Sequence, residues 1–182
     1  MSQIISITAL ASISPLGNDP QLIWNNYLND QHFFVRKNID KAPTFVAPLD
    51  ADSVAKIEEL KHSDPKYKFL DNSVLYAMEA SRAAIKQSGW GTTDVFGINI
   101  GSSRGATDLF EKHHQEYLET GKAQTLASPT TTLGNISSWI AHDLQSSGPE
   151  ISHSITCSTA LHAVLNGVVW LKSGMEIGRA HV

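Results

Sequence analysis

Cys157 is the only cysteine of the chain and its best candidate for a nucleophile. It stands in the stretch Ile151-Ser-His-Ser-Ile-Thr-Cys-Ser-Thr-Ala-Leu-His-Ala-Val-Leu-Asn-Gly167. A thiol with a lowered pKa reacts as the thiolate and can carry an acyl group as a covalent intermediate. A helix N-terminus lowers that pKa, because it presents unpaired N–H groups and the positive end of the helix dipole. Two readings of Cys157 compete: a small buried hydrophobe, or a nucleophile exposed where a strand turns into a helix. Its position at such a junction favours the second.

The other groups that suggest chemistry read as structural. Gly101-Ser-Ser-Arg-Gly105 lacks the glycine spacing and the lysine of a phosphate-binding loop and reads as a turn between a strand and a helix. His113 and His114 are adjacent, so on a helix they do not share a face; a solvated face fits them better than a metal site. His153 alternates with apolar neighbours and reads as a core or interface histidine. His162 lies five residues past Cys157, roughly 140° round the helix, and reads as a packing residue.

The elements that must position Cys157 follow from periodicity. Ile151, His153 and Ile155 alternate with Ser152, Ser154 and Thr156, the period of a strand. Ala160, Leu161, Val164, Leu165, Val168 and Leu171 then recur at spacings of three and four, one face of a helix. Ser158, Thr159 and Ala160 clear space round the cysteine. Upstream, residues 3–8 are predicted as a first strand, and Asp19-Pro20 opens a short helix to about Asn29. Residues 31–65 read as irregular, with a short helix near 52–60 started by Asp52 or Ser53. Asp64-Pro65 is predicted to start the longest helix, in which Leu70, Val74, Ala77, Met78, Ser81 and Ile85 line one face and Gly89 forms the left-handed end. A strand follows at 95–100, with helices at about 106–120 and 130–145. Strands separated by helices imply right-handed crossovers and a largely parallel sheet.

Composition excludes several classes. With 182 residues, 41% of them hydrophobic, the chain can build one domain with a real core. A net charge of −4 gives no reason to expect nucleic-acid binding. A single cysteine cannot form an internal disulfide and suits a reducing compartment. No Lys or Arg precedes Arg36, so the apolar start lacks the basic region of a signal peptide. No apolar run approaches the ~20 residues of a membrane span. The expectation is a soluble, cytoplasmic chain.

Thr156-Cys-Ser-Thr-Ala-Leu-His-Ala163 resembles the active-site segment of the β-ketoacyl synthases, the condensing enzymes of fatty-acid and polyketide synthesis. Ile5 to Asn18, with its Ser-Pro-Leu-Gly turn, is similar to the family's opening strand. Gly97-Ile-Asn-Ile-Gly-Ser-Ser103 resembles its second strand and glycine loop. Ser128-Pro129, Leu133-Gly-Asn135 and Ser147-Gly-Pro149 follow in family order. The resemblance covers roughly residues 1–175 in register. It implies an α/β fold, the first half of a thiolase-like fold, with a mostly parallel sheet and covering helices. Residues 1–175 would be an incomplete N-terminal domain and 176–182 a non-native tail, the native protein continuing past Met175. The family's two catalytic histidines and conserved lysine lie in the half that this stretch does not resemble.

The resemblance implies decarboxylative Claisen condensation. Cys157 would take an acyl group from an acyl carrier protein, and the carbanion from a malonyl thioester would attack it. The Cys157 N–H would be one oxyanion donor. No metal or organic cofactor is implied. The partners would be the carrier protein and a second subunit, in a homodimer or a synthase heterodimer. Arg104 would sit in the loop near the acyl pocket, where long-chain synthases have an aliphatic residue; there it argues against a simple alkyl tunnel, or else turns outward to a surface or interface ion pair. The alternatives are a non-catalytic, chain-length-factor-like partner subunit, which characteristically lacks the cysteine, and a cysteine hydrolase or thiolase. A hydrolase would need a His and Asn or Asp partner that is not identifiable, and a thiolase carries its cysteine segment nearer the N-terminus.

Overall fold

The centre of the fold is a short strand buried on both faces. The computed structural model describes residues 4–39, 41–91, 93–175 and 180–181. Strand β3 (Gly97–Gly101) pairs in parallel with β4 (Glu150–His153) on one side and with β5 (Ala180–His181) on the other. The expected parallel sheet is present in this three-stranded form. Side chains on β3 alternate: Ile98 and Ile100 enter the main core, whereas Asn99 donates to the Ala163 carbonyl on the opposite face.

Three helices cover the core face. These are α2 (Ala51–Ser63), α3 (Asn72–Ser88) and α6 (Asn135–Leu144). Val74, Leu75 and Met78 of α3 are fully buried and meet Ile57, Leu60, Phe96, Ile136 and Ile140. Helix α7 (Thr159–Lys172) covers the other face of β3. The remaining helices are α1 (Pro20–Leu28), α4 (Thr107–Thr120) and α5 (Ala127–Thr131). A polar clamp ties α3 to α6. Arg82 donates through Nε and Nη2 to Asp143 at 2.7 and 2.6 Å, and the Tyr67 hydroxyl donates to the same carboxylate at 2.8 Å. Burial and that carboxylate push the Tyr67 pKa up to about 12.

Several predicted boundaries move, each for a local reason. Residues 4–8 form no strand. Among the described residues the nearest pairing is an isolated bridge between Ser14 and Gly17, and Ile4, Ile7 and Leu10 stand exposed. An alternating pattern becomes a strand only where a neighbour offers a ladder. The stretch read as irregular holds a hairpin, β1 (Val35–Ile39) with β2 (Ala42–Val46), whose Pro43 is tolerated because a two-stranded sheet leaves one edge unpaired. Helix α2 is capped by Asp50, which accepts from the Ser53 N–H, rather than by Asp52 or Ser53. Asp64 ends α2 instead of opening the longest helix; a 3₁₀ turn at Tyr67–Phe69 intervenes, and Asp71 caps α3. Gly89 ends α3 in the left-handed conformation, as predicted. The helix expected over 130–145 is two, α5 and α6, broken at residues 132–134.

The apolar face that the sequence spacing marks on α7 is not the face packed on β3: Leu161, Val164 and Leu165 are exposed, with Ala160. The face against β3 is Thr159, Ala163 and Gly167. Only small residues allow so close a helix–strand approach; a Cβ added to Gly101 would stand 2.6 Å from the Thr159 carbonyl oxygen. The predicted tail is described only at Ala180 and His181, as β5; the rest of 176–182 lies outside the described residues.

Candidate active site

Strand β4 runs parallel to β3, with His153 opposite Gly101, so the chain segments leaving the two strands emerge side by side. Such carboxyl ends are where open α/β sheets place their sites. After β4 the chain makes one 3₁₀ turn, Thr156–Ser158, and enters α7 at Thr159. Cys157 sits in that turn and is exposed. The predicted strand-to-helix junction is therefore present, with the cysteine inside the tight turn that leads into the α-helix proper.

Polar contacts lock the turn. Thr156 has φ 51°, a left-handed conformation that a β-branched residue adopts only under constraint. Its carbonyl accepts from the Thr159 amide, the Thr159 hydroxyl and the Ser103 hydroxyl, the last at 2.9 Å. Thr159 Oγ1 also accepts from the Ile155 N–H at 2.9 Å. Ser154 Oγ donates to the Ser103 carbonyl at 3.1 Å, and Ser158 Oγ to the Ile155 carbonyl at 3.2 Å. The loop after β3 and the turn after β4 thus clasp each other. The Cys157 amide itself has no acceptor among the described residues, as expected at the start of a helix.

Two of these residues escaped the sequence reading. Thr159 is no spacer: it is 2% exposed and bonds both sides of Thr156. Ser103 gave no periodic signal and is recognisable only once β3 and β4 are paired.

Arg104 follows Ser103, so its backbone adjoins the clasp. Its side chain is exposed and lines a groove of about 420 Å³ with Thr107, Phe110, Glu111 and Thr131. Cys157 does not line that groove. A second cleft, of about 320 Å³, lies between Lys61, Lys68, Asp71, Asp108, Lys112 and His113, also away from the cysteine. His113, expected on a solvated face, has a side chain only 13% exposed and meets Glu116 at 3.4 Å. His114 stacks on Phe110. His162 Nδ1 lies 3.0 Å from the Ser158 carbonyl. Both ring nitrogens of His153 are buried without a partner among the described residues. No group of three or more metal-ligating side chains occurs among the described residues.

Comparisons with known proteins converge on one family. Residues 2–176 match the family described as "Beta-ketoacyl synthase, N-terminal domain". A 3-oxoacyl-[acyl-carrier-protein] synthase 2 of Staphylococcus aureus (strain MRSA252) is 29% identical over 185 residues, covering 90% of this chain and 42% of that protein. The synthase 2 of Vibrio cholerae is 24% identical over 173 residues, covering 88% and 40%. The chain thus spans about two fifths of the length of these relatives. Among solved structures, a β-ketoacyl synthase from Burkholderia phymatum aligns with TM-score 0.74 at 17% identity, over 94% of this chain and 44% of that one. The ishigamide ketosynthase/chain length factor aligns with TM-score 0.75 at 17% identity, covering 92% and 44%. A ketosynthase solved with a type II acyl-carrier protein and bound to the hexaketide aligns at 0.74 and 15% identity, covering 92% and 47%. At these identities the likeness establishes the fold, which is thiolase-like α/β.

Proposed function

Because the chain belongs to the β-ketoacyl synthase family, we propose that it carries the acyl-accepting cysteine of a 3-oxoacyl-acyl-carrier-protein synthase. The observation that supports this most is Cys157 itself, exposed on a braced turn at the start of α7 with its amide unclaimed. The thiolate attacks the thioester carbonyl of an acyl-carrier protein. A carbon–sulfur bond forms, the Cys157 N–H donates to the oxyanion, and the carrier thiolate leaves and is protonated. A malonyl thioester then loses carbon dioxide, its carbanion attacks the Cys157 thioester, and the cysteine thiolate is released. That second step uses the family's histidines, which lie beyond the part of the family matched here, so residues 1–182 alone are expected to be inactive in condensation. No metal or organic cofactor enters either step. The working protein is cytoplasmic and dimeric, as a homodimer or a synthase heterodimer.

Arg104 is proposed to influence the acyl choice. A guanidinium cannot shed its charge, so turned toward a long saturated chain it would be a buried unpaired cation. Turned inward, it would favour a short, polar, unsaturated or aromatic acyl group; turned outward, as its exposed side chain stands here, it takes no part in that choice. A second reading, a chain-length-factor-like subunit, draws on the likeness to a ketosynthase/chain length factor pair. Retention of Cys157 favours the catalytic subunit.

Labelling by a mechanism-based inhibitor of the cerulenin type tests the assignment. One adduct on the wild type and none on Cys157→Ser is expected; equal labelling of both would rule Cys157 out.

A further inference from the structure

The peptide between Thr156 and Cys157 is planar and trans, so the Thr156 C=O and the Cys157 N–H point in opposite directions. Whatever holds that carbonyl inward also aims the amide outward. Thr159 is buried to 2% exposure, and its hydroxyl makes two bonds: it donates to the Thr156 carbonyl and accepts from the Ile155 N–H at 2.9 Å. Ser103 Oγ adds a second hydroxyl donor to the same carbonyl at 2.9 Å. These bonds span the residue with φ 51°, a conformation that persists only where its surroundings over-determine it. The methyl of Thr159 faces Gly101, where a Cβ would come within 2.9 Å of it, so the side chain has little room to turn.

We propose that Thr159, assisted by Ser103, is a positioning residue that aims the Cys157 amide at the oxyanion formed when the cysteine is acylated. The proposal rests on the reading of Cys157 as an acylated nucleophile. It acts through hydrogen-bond direction and needs the hydroxyl, so Thr159→Val, which keeps the shape, removes it, and Thr159→Ser retains it. The two variants separate this role from simple packing.

Acylation by p-nitrophenyl acetate passes through an oxyanion; alkylation by iodoacetamide does not. Both rates are read as the adduct on the peptide that contains Cys157, the one cysteine of this sequence, because p-nitrophenyl acetate also acylates lysine and histidine. The ratio of the two rates is the readout. Removing an oxyanion donor outright slows reaction by about 10²–10³-fold, so a misaimed one is expected to lower the ratio about tenfold in T159V and less than about threefold in T159S. A T159V ratio within about twofold of wild type overturns the proposal, as does a T159S ratio that falls as far as that of T159V. Equal slowing of both reactions in T159V also overturns it, since that marks a general loosening of the turn. If T159V does not fold, Ser103→Ala decides: a ratio lowered severalfold supports the aim, and an unchanged ratio refutes it. Failure of the condensing-enzyme reading would look different, with no acyl transfer to wild type from an acyl-carrier thioester while the ratio still responds to T159V.

Discussion

Gly101→Ala is the sharpest perturbation of the site that leaves every functional group in place. A Cβ at residue 101 would lie 2.6 Å from the Thr159 carbonyl oxygen, 2.8 Å from its carbonyl carbon and 2.9 Å from its methyl. Ordinary contact begins near 3.4 Å, so the start of α7 must retreat by about 0.8 Å. Two of the three obstructing atoms are backbone, so no side-chain rotation relieves the clash. Over-packing of this kind costs about 1–3 kcal/mol. Misplacing a reacting group by about 1 Å costs up to roughly a hundredfold in rate. The chain should therefore melt several degrees lower, at about 2–4 °C per kcal/mol for a protein of this size. Cys157 should be acylated by p-nitrophenyl acetate about 10- to 100-fold more slowly. Gly91→Ala is the control, because a Cβ there meets nothing within 4 Å. If Gly101→Ala matches Gly91→Ala in both melting and acylation rate, the close packing of α7 on β3 does not position the cysteine.

Other consequences follow from the clamp and the loop. Arg82→Ala leaves the Asp143 carboxylate, 3% exposed, with Tyr67 as its one side-chain donor among the described residues, and should cost about 3 kcal/mol in urea unfolding; a loss under about 1 kcal/mol would show that the carboxylate is solvated. Tyr67, raised from 10.0 to about 12 in the folded chain, favours the neutral phenol, so its contribution is complete below pH 10 and fades as pH rises to about 12. Stability measured across that window should fall less steeply in Tyr67→Phe, and an identical slope would refute the assignment. In the full-length enzyme, Arg104→Ile should shift relative rates toward longer saturated acyl-carrier thioesters. An unchanged profile would place the side chain outside substrate selection.

The junction that carries Cys157 was legible because two periods meet there, the two-residue alternation up to Thr156 and the helical recurrence after it. The long helix α3 was legible for the same reason: Val74, Met78 and Ser81 are buried as its pattern predicts. Its start was not, because Asp64 and Asp71 are both plausible caps and only packing chooses between them. The face of α7 misled, since apolar residues mark an apolar surface without naming what covers it. Close approach to β3 selects Thr159, Ala163 and Gly167, which carry little hydrophobic signal. Residues 4–8 kept a strand's alternation without a strand's partner. Thr159 and Ser103 were invisible as site residues because their roles depend on the backbone of Thr156 and on the pairing of β3 with β4.

The central claim is that Cys157 is the atom that takes the acyl group. Intact-mass measurement after incubation with an acyl-carrier thioester, followed by peptide mapping, tests it directly. The account predicts a single acyl adduct, hydroxylamine-labile as a thioester must be, on the peptide containing Cys157, and no adduct on Cys157→Ala. An adduct on any other residue, or an equal adduct on Cys157→Ala, would contradict it.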